Sequence, residues 1–193
     1  MVCMSRIALL SLLALVAGCV SAPLSQQADG ADGGRGALSV CRGLSVANAP
    51  RTDNAGHVQG FTATTTVRGA RLLRKPVEGC LSSAFGPRRG GAGRMHEGLD
   101  ISTRTPRPIL AAGGGRVIAI KRSSGYGLTV TLDHRNGVAT RYAHLSRAAE
   151  NLRAGDRVKS GTVIGWTGKS GNATGVHLHY EILVDGRPIN PLQ

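Results

Sequence analysis

Residues 175–181 read Gly-Val-His-Leu-His-Tyr-Glu, GVHLHYE, and set two of the chain's six histidines two positions apart among strand-forming neighbours. In a β-strand successive side chains leave opposite faces, so His177 and His179 share one face while Val176, Leu178 and Tyr180 share the other. The two imidazoles then stand side by side, their backbones roughly 6 to 7 Å apart. Such a pair is either a solvated surface feature or part of a metal or catalytic site. The second reading needs partners elsewhere.

Outward from this strand the texture stays the same. From Leu81 onward short alternating or β-branched runs recur: GRVIAI at Gly115–Ile120, LTVTLDH at Leu128–His134, VATRYAHL at Val138–Leu145, VIGWTG at Val163–Gly168 and VHLHYEIL at Val176–Leu183. Turn signals such as RNG, AGD and VDG lie between most of them. RAAENLRAGD at Arg147–Asp156 is read as holding a helical turn. With 28 glycines against six aromatic residues, the composition suits short strands and tight turns more than long amphipathic helices. The fold class is therefore all-β, a compact antiparallel sheet or sandwich over residues 81–193. A chain of 193 residues leaves room for appendages before it.

Those appendages are legible at the N-terminus. Arg6 precedes the apolar run Ile7–Val16, too short to span a bilayer, and small residues follow, which makes residues 1–18 a signal peptide. Its end, LVAGC at Leu15–Cys19, resembles a lipobox, so Cys19 is the expected lipidation site of an exported, membrane-anchored lipoprotein facing the periplasm. Val20 in place of the aspartate that retains lipoproteins in the inner membrane points to the outer one. Residues 19–38 are small, polar and glycine-rich, a flexible tether of about 25 Å. Residues 39–80 read as a short β extension, with FTATTTV at Phe61–Val67 strand-like and ARLLRKPV continuing a hairpin. Cys41 and Cys80 flank it and are expected to pair as a disulfide in an oxidising compartment. The formal charge of +13 is spread along the chain and fits an anionic polymer or membrane surface. Nucleic acid is excluded as a partner by export and by the scarcity of aromatic side chains to stack bases.

The partners sought for the histidine pair stand in GRMHEGLDIS, where His96 and Asp100 flank Gly98. This is not the helical zinc motif H-E-x-x-H, because Asp100 occupies the second histidine position and Gly98 disfavours a helix. In extended form His96 and Asp100 have the same parity and project to one side. His-x-x-x-Asp after SAFGPR, RYAHLS around His144, and TGVHLHYE followed by INP together resemble the lysostaphin and LytM family, the M23 metallopeptidases, over about Ser83 to Pro191. The resemblance implies one zinc ion per domain, with His96, Asp100 and His179 as its ligands and His144 and His177 as catalytic histidines. It also implies a lysostaphin/LytM-like antiparallel sheet. None of the five positions is substituted, which favours an enzyme. The departures, an arginine-rich ISTRTPRPILAAGGG and Ala173 and Val176 where serine and proline are commoner, touch the rim of the site.

Two imidazoles and one carboxylate around a divalent zinc leave a fourth position open, as catalytic sites do. An unligated histidine beside it can take a proton from water or hydrogen-bond a developing oxyanion, and His144 and His177 are the candidates without a ranking between them. Glu97 and Glu181 adjoin ligand positions and, taken to have the opposite strand parity, are read as outward-facing or as supports for the ligands. His134 is expected near a turn and His57 in solvent. The expected function is zinc-dependent hydrolysis of stem-peptide crosslinks in peptidoglycan, as a D,D-endopeptidase. The alternative is a non-catalytic envelope regulator that binds peptidoglycan or activates an amidase.

Overall fold

The computed structural model describes residues 36–88 and 95–193. The signal peptide, Cys19 and nearly all of the tether lie outside the described residues. Fourteen strands follow in chain order: β1 (Thr64–Val67), β2 (Ala70–Leu73), β3 (Cys80–Ser83), β4 (Gly86–Pro87), β5 (Met95–His96), β6 (Leu99–Ser102) and β7 (Pro108–Leu110), then β8 (Gly115–Ser123), β9 (Gly127–Asp133), β10 (Val138–Ala148), β11 (Arg157–Val158), β12 (Val163–Thr167), β13 (His177–Val184) and β14 (Arg187–Ile189). There is no helix among the described residues. Every strand ladder is antiparallel, and ten strands form one sheet whose main path runs β11-β8-β9-β10-β13-β6-β3, with β12 joining β10 to β7 and β14 on β13.

The two-residue period of the sequence decides which face of that sheet is core. In β13, Leu178, Tyr180 and Ile182 are fully buried, and their cross-strand partners Ile101, Leu99 and Thr140 are buried with them. Tyr142 lies opposite Tyr180, with ring centroids 5.5 Å apart. Both hydroxyls are spent inside: Tyr142 accepts from the Ala112 amide at 2.7 Å and Tyr180 donates to the Leu73 carbonyl at 2.9 Å. The second of these ties the β1–β2 hairpin to the core. The opposite face of β13 carries His177, His179 and Glu181.

Residues 39–58 wrap the outer side of β3. Val40 and Ala47 make parallel bridges to Leu81 and Ser83, and Leu38, the last residue of the span read as tether, is fully buried. A disulfide joins Cys41 to Cys80, 39 positions apart. Closing a loop of that length contributes up to about 4 kcal/mol in the chain-entropy account. The β1–β2 turn has both central residues, Arg68 and Gly69, at positive φ (45° and 85°), the geometry of a two-residue hairpin. Arg68 is held there by two hydrogen bonds to Asp185, at 2.9 and 2.7 Å.

One expectation is corrected. Arg147–Asp156 holds no helical turn: Arg147 and Ala148 continue β10 by pairing with Trp166 and Gly165 of β12, and only a hydrogen-bonded turn, Leu152 N–H to Ala149 O at 3.1 Å, follows. Edge pairing with β12 supplies the backbone partners that a helix would otherwise have supplied.

Candidate metal centre and active site

The site is built across three adjacent strands. The β13–β6 register sets His179 opposite Asp100, and the β13–β10 register sets it opposite Ala143, whose small side chain leaves room above it. His96 enters from β5, just before a tight turn into β6. That turn presses on β13 so closely that a Cβ on Gly98 would lie 2.3 Å from the Tyr180 carbonyl oxygen, which accounts for glycine in HEGLD.

Three donor atoms converge. His179 Nδ1 lies 2.8 Å from Asp100 Oδ1 and 3.2 Å from His96 Nε2, and His96 Nε2 lies 3.1 Å from Asp100 Oδ1. The donors of a tetrahedral divalent metal with bonds of about 2.0–2.1 Å stand about 3.4 Å apart, so this triangle is one slightly contracted face of such a tetrahedron. Outer hydrogen bonds fix which nitrogens carry protons. His96 Nδ1–H donates to the Ala84 carbonyl at 2.8 Å, and His179 Nε2–H donates to Glu181 Oε1 at 3.0 Å. With those outer bonds made, His96 Nε2 and His179 Nδ1 are the nitrogens turned to the common point, toward each other and toward Asp100 Oδ1. A single proton on His179 Nδ1 can be directed at only one of the other two donors at a time. A cation satisfies all three, so these residues fit a metal ion.

The electrostatics agree with that fit. Burial opposes a charge on His179, but its hydrogen bonds to Asp100 and Glu181 outweigh this and push its pKa up to about 9. Burial likewise raises Asp100, and the histidines beside it overcome that and hold it well below the usual carboxylate range. Positive charge belongs at this point.

Glu181 corrects the outward option left open by the sequence. It lies two residues beyond His179, hence on the same face, and it is fully buried. Its second oxygen accepts from Arg141 Nη1 at 2.8 Å, which supplies the countercharge a buried carboxylate needs. Burial raises the Glu181 pKa, and His179 and Arg141 bring it below the ordinary value. Glu97 accepts from the Tyr126 hydroxyl at 3.0 Å, and the Tyr126 ring lies 5.6 Å from that of His179. Tyr126 and Arg141 were not singled out from the sequence: Arg141 meets Glu181 through the β10–β13 register, and Tyr126 reaches the site from the turn between β8 and β9, neither of which a local pattern reveals.

His144 and His177 face each other beside the triangle, ring centroids 4.7 Å apart, with His144 6.0 Å from His179. Each donates Nδ1–H to a backbone carbonyl, His144 to Ser170 at 2.8 Å and His177 to Gly175 at 2.9 Å. Each ring thus leaves its Nε2 free of a backbone partner, and that of His177 lies 3.7 Å from Asp100 Oδ1. His144 reaches this face only because β10 breaks register there. Its φ is 62°, a left-handed conformation costing about 1–3 kcal/mol for a non-glycine residue. In a regular strand it would point with Tyr142 into the core. Burial holds the His144 pKa below the ordinary histidine value.

The other histidines are elsewhere. His134 follows β9 beside a turn and is buried, its ring nitrogens 2.9 Å from the Gly114 carbonyl and 2.8 Å from Thr140 Oγ1. His57 is exposed against Asp53. A groove of about 860 Å³ leads to the triangle between residues 44–49 on one side and Thr174, Gly175 and His177 on the other.

With this geometry in place, the profile of peptidase family M23 matches residues 94–191, a span containing all five residues of the site. The DD-carboxypeptidase/endopeptidase Mpg of Neisseria meningitidis is 41% identical over 99 residues, 51% of this chain and 22% of that protein. The peptidoglycan DD-endopeptidase ShyC of Vibrio cholerae is 40% identical over 125 residues, 62% of this chain and 28% of that protein. The chain thus spans about a quarter of the length of these relatives. Among solved structures, a zinc-containing peptidase from Vibrio cholerae superposes with a TM-score of 0.60 at 28% identity, covering 67% of this chain and 45% of that one. The catalytic domain of lysostaphin from Staphylococcus simulans does so with a TM-score of 0.51 at 32% identity, covering 56% and 85%.

Proposed function

The chain belongs to peptidase family M23, and from that premise we propose that it is a zinc-dependent peptidoglycan hydrolase, a D,D-endopeptidase cleaving crosslinks between stem peptides in the cell envelope. The observation that carries this reading is the meeting of three metal-type donors, 2.8–3.2 Å apart, with two further imidazoles beside them, the His144 ring 6.0 Å from that of His179 and His177 Nε2 3.7 Å from Asp100 Oδ1. Relatives that carry the name peptidoglycan DD-endopeptidase support the choice of substrate.

His96 Nε2, Asp100 Oδ1 and His179 Nδ1 would hold the zinc, with Glu181 and the Ala84 carbonyl locking the two rings in the ligating tautomer. Zinc bound there supplies Lewis acidity toward a peptide carbonyl. The chain's own residues do the rest. A neutral His144 or His177 accepts the proton of an attacking water at Nε2, and the resulting imidazolium returns it to the leaving nitrogen. The other of the two hydrogen-bonds the charge that develops on the carbonyl oxygen. Both rings are oriented by backbone carbonyls, so neither step requires a rotamer change.

Purified sacculi incubated with the protein and then digested with a muramidase should show crosslinked muropeptide dimers replaced by monomers, identified by mass spectrometry as cut at the D-alanyl crosslink. A chelator should stop the cleavage and added zinc restore it. Crosslinks left intact by a zinc-loaded, folded protein would instead favour the regulator reading.

A further inference from the structure

The groove beside the triangle carries more information than its proximity to the metal donors. Its outer wall, residues 44–49, is fixed to the domain by the Ala84 amide donating to the Ala47 carbonyl at 3.0 Å, by the parallel bridge of Ala47 to Ser83, and further back by the Cys41–Cys80 disulfide. Leu44, Val46 and Asn48 lie on this wall, and Ser82, Ser83 and Thr174 add neutral polar residues elsewhere in the lining. Asp100 is the only anion among the described lining residues, and its charge is already met by His96 and His179. Arg88 is the only fixed cation there.

Arg88 is not consumed by structure. Its Nη2 makes a long ion pair with Asp100 Oδ2 at 3.8 Å, beyond hydrogen-bond distance, and the guanidinium makes no hydrogen bond with any described residue. Its side chain is 53% exposed. A guanidinium with open valences, next to a metal ligand and at the head of an otherwise uncharged groove, is suited to receive a carboxylate in a bidentate pair.

We infer that Arg88, held only by its long ion pair with Asp100, binds the α-carboxylate of the residue on the leaving side of the scissile bond, so that the site selects peptide bonds whose nitrogen is borne by a carbon carrying a free carboxylate. This rests on the proposed function and narrows its substrate. In a D,D crosslink the leaving nitrogen sits on such a carbon, and the carboxylate lies about 3 to 4 Å from the scissile carbonyl carbon. With that carbonyl at the metal point, the carboxylate falls in the layer beyond Asp100, where Arg88 stands. A bond inside a polyglycine bridge has no carboxylate at that position and would gain nothing from Arg88.

The test uses two synthetic crosslinked peptides, D-alanine joined to the D-centre amine of a diamino acid, with the α-carboxylate either free or amidated. Zinc-loaded wild-type protein should favour the free acid by about 10- to 100-fold in kcat/KM. In Arg88→Gln that ratio should collapse toward one, and in Arg88→Lys it should fall part of the way, with zinc content and thermal stability matching wild type. A wild-type ratio near one, or a Gln variant that slows both peptides equally and keeps the ratio, overturns the inference while leaving the proposed function standing. Failure of wild type to cut either peptide or sacculi overturns that function and the inference with it.

Discussion

His179→Ala should lose bound metal and hydrolysis together, with turnover on sacculi falling by more than about 10⁴-fold, beyond the range for a lost proton-transfer group. His179 is the shared vertex of the site. Its Nδ1 lies 2.8 and 3.2 Å from the other two donors, whereas the other histidine on that strand face, His177, has its Nε2 3.7 Å from Asp100 Oδ1. The substitution also removes the partner of one Glu181 oxygen in a fully buried position, leaving Arg141 alone to balance it. An unsatisfied buried acceptor costs about 1–3 kcal/mol, so circular dichroism should accompany the assay to show that the loss is local. Metal analysis and sacculus digestion of the folded variant check the result. Hydrolysis surviving in it would take the metal out of the mechanism.

His177→Ala should separate what His179→Ala loses together. It removes no donor from the triangle, so the variant should keep near-stoichiometric metal while kcat falls by about 10²- to 10⁴-fold. His144→Ala should behave likewise, with a small added loss of thermal stability because alanine adopts a φ of 62° less readily than histidine. The pH profile then ranks the pair. A general base must be neutral to act, so activity falls as pH drops through its pKa, and the variant lacking the base loses that acid limb. If His144 is the base, burial places the limb below the ordinary histidine value of about 6.5. Metal lost from His177→Ala as completely as from His179→Ala would mean that both rings ligate.

Strand alternation alone set His177 and His179 on one face of β13 and Leu178 and Tyr180 on the other, and the structure has that arrangement. The same rule pairs His96 with Asp100, but a tight turn separates β5 from β6, so the β6–β13 register brings only Asp100 opposite His179 while His96 enters from β5. What the sequence could not supply is contact between segments distant along the chain. His144 turns to the site because β10 breaks register between Tyr142 and Leu145, so parity counting would have sent it into the core. Glu181 was within reach of the parity rule, but its depth depends on Arg141 from the neighbouring strand. The groove wall at residues 44–49 rests on a parallel bridge to Ser83 across more than thirty residues of chain, and nothing local announces it. The helical turn expected at Arg147–Asp156 gave way to pairing with β12, a tertiary partner overriding local preference.

The central claim is that one metal ion sits on His96, Asp100 and His179 while His144 and His177 stand free to move protons. Anomalous diffraction at the zinc absorption edge, from crystals of the zinc-loaded protein, tests it most directly. The account predicts one peak, about 2.0–2.2 Å from His96 Nε2, Asp100 Oδ1 and His179 Nδ1, with both other Nε2 atoms outside bonding distance. A peak bonded to His144 or His177, or none at the triangle, would contradict it.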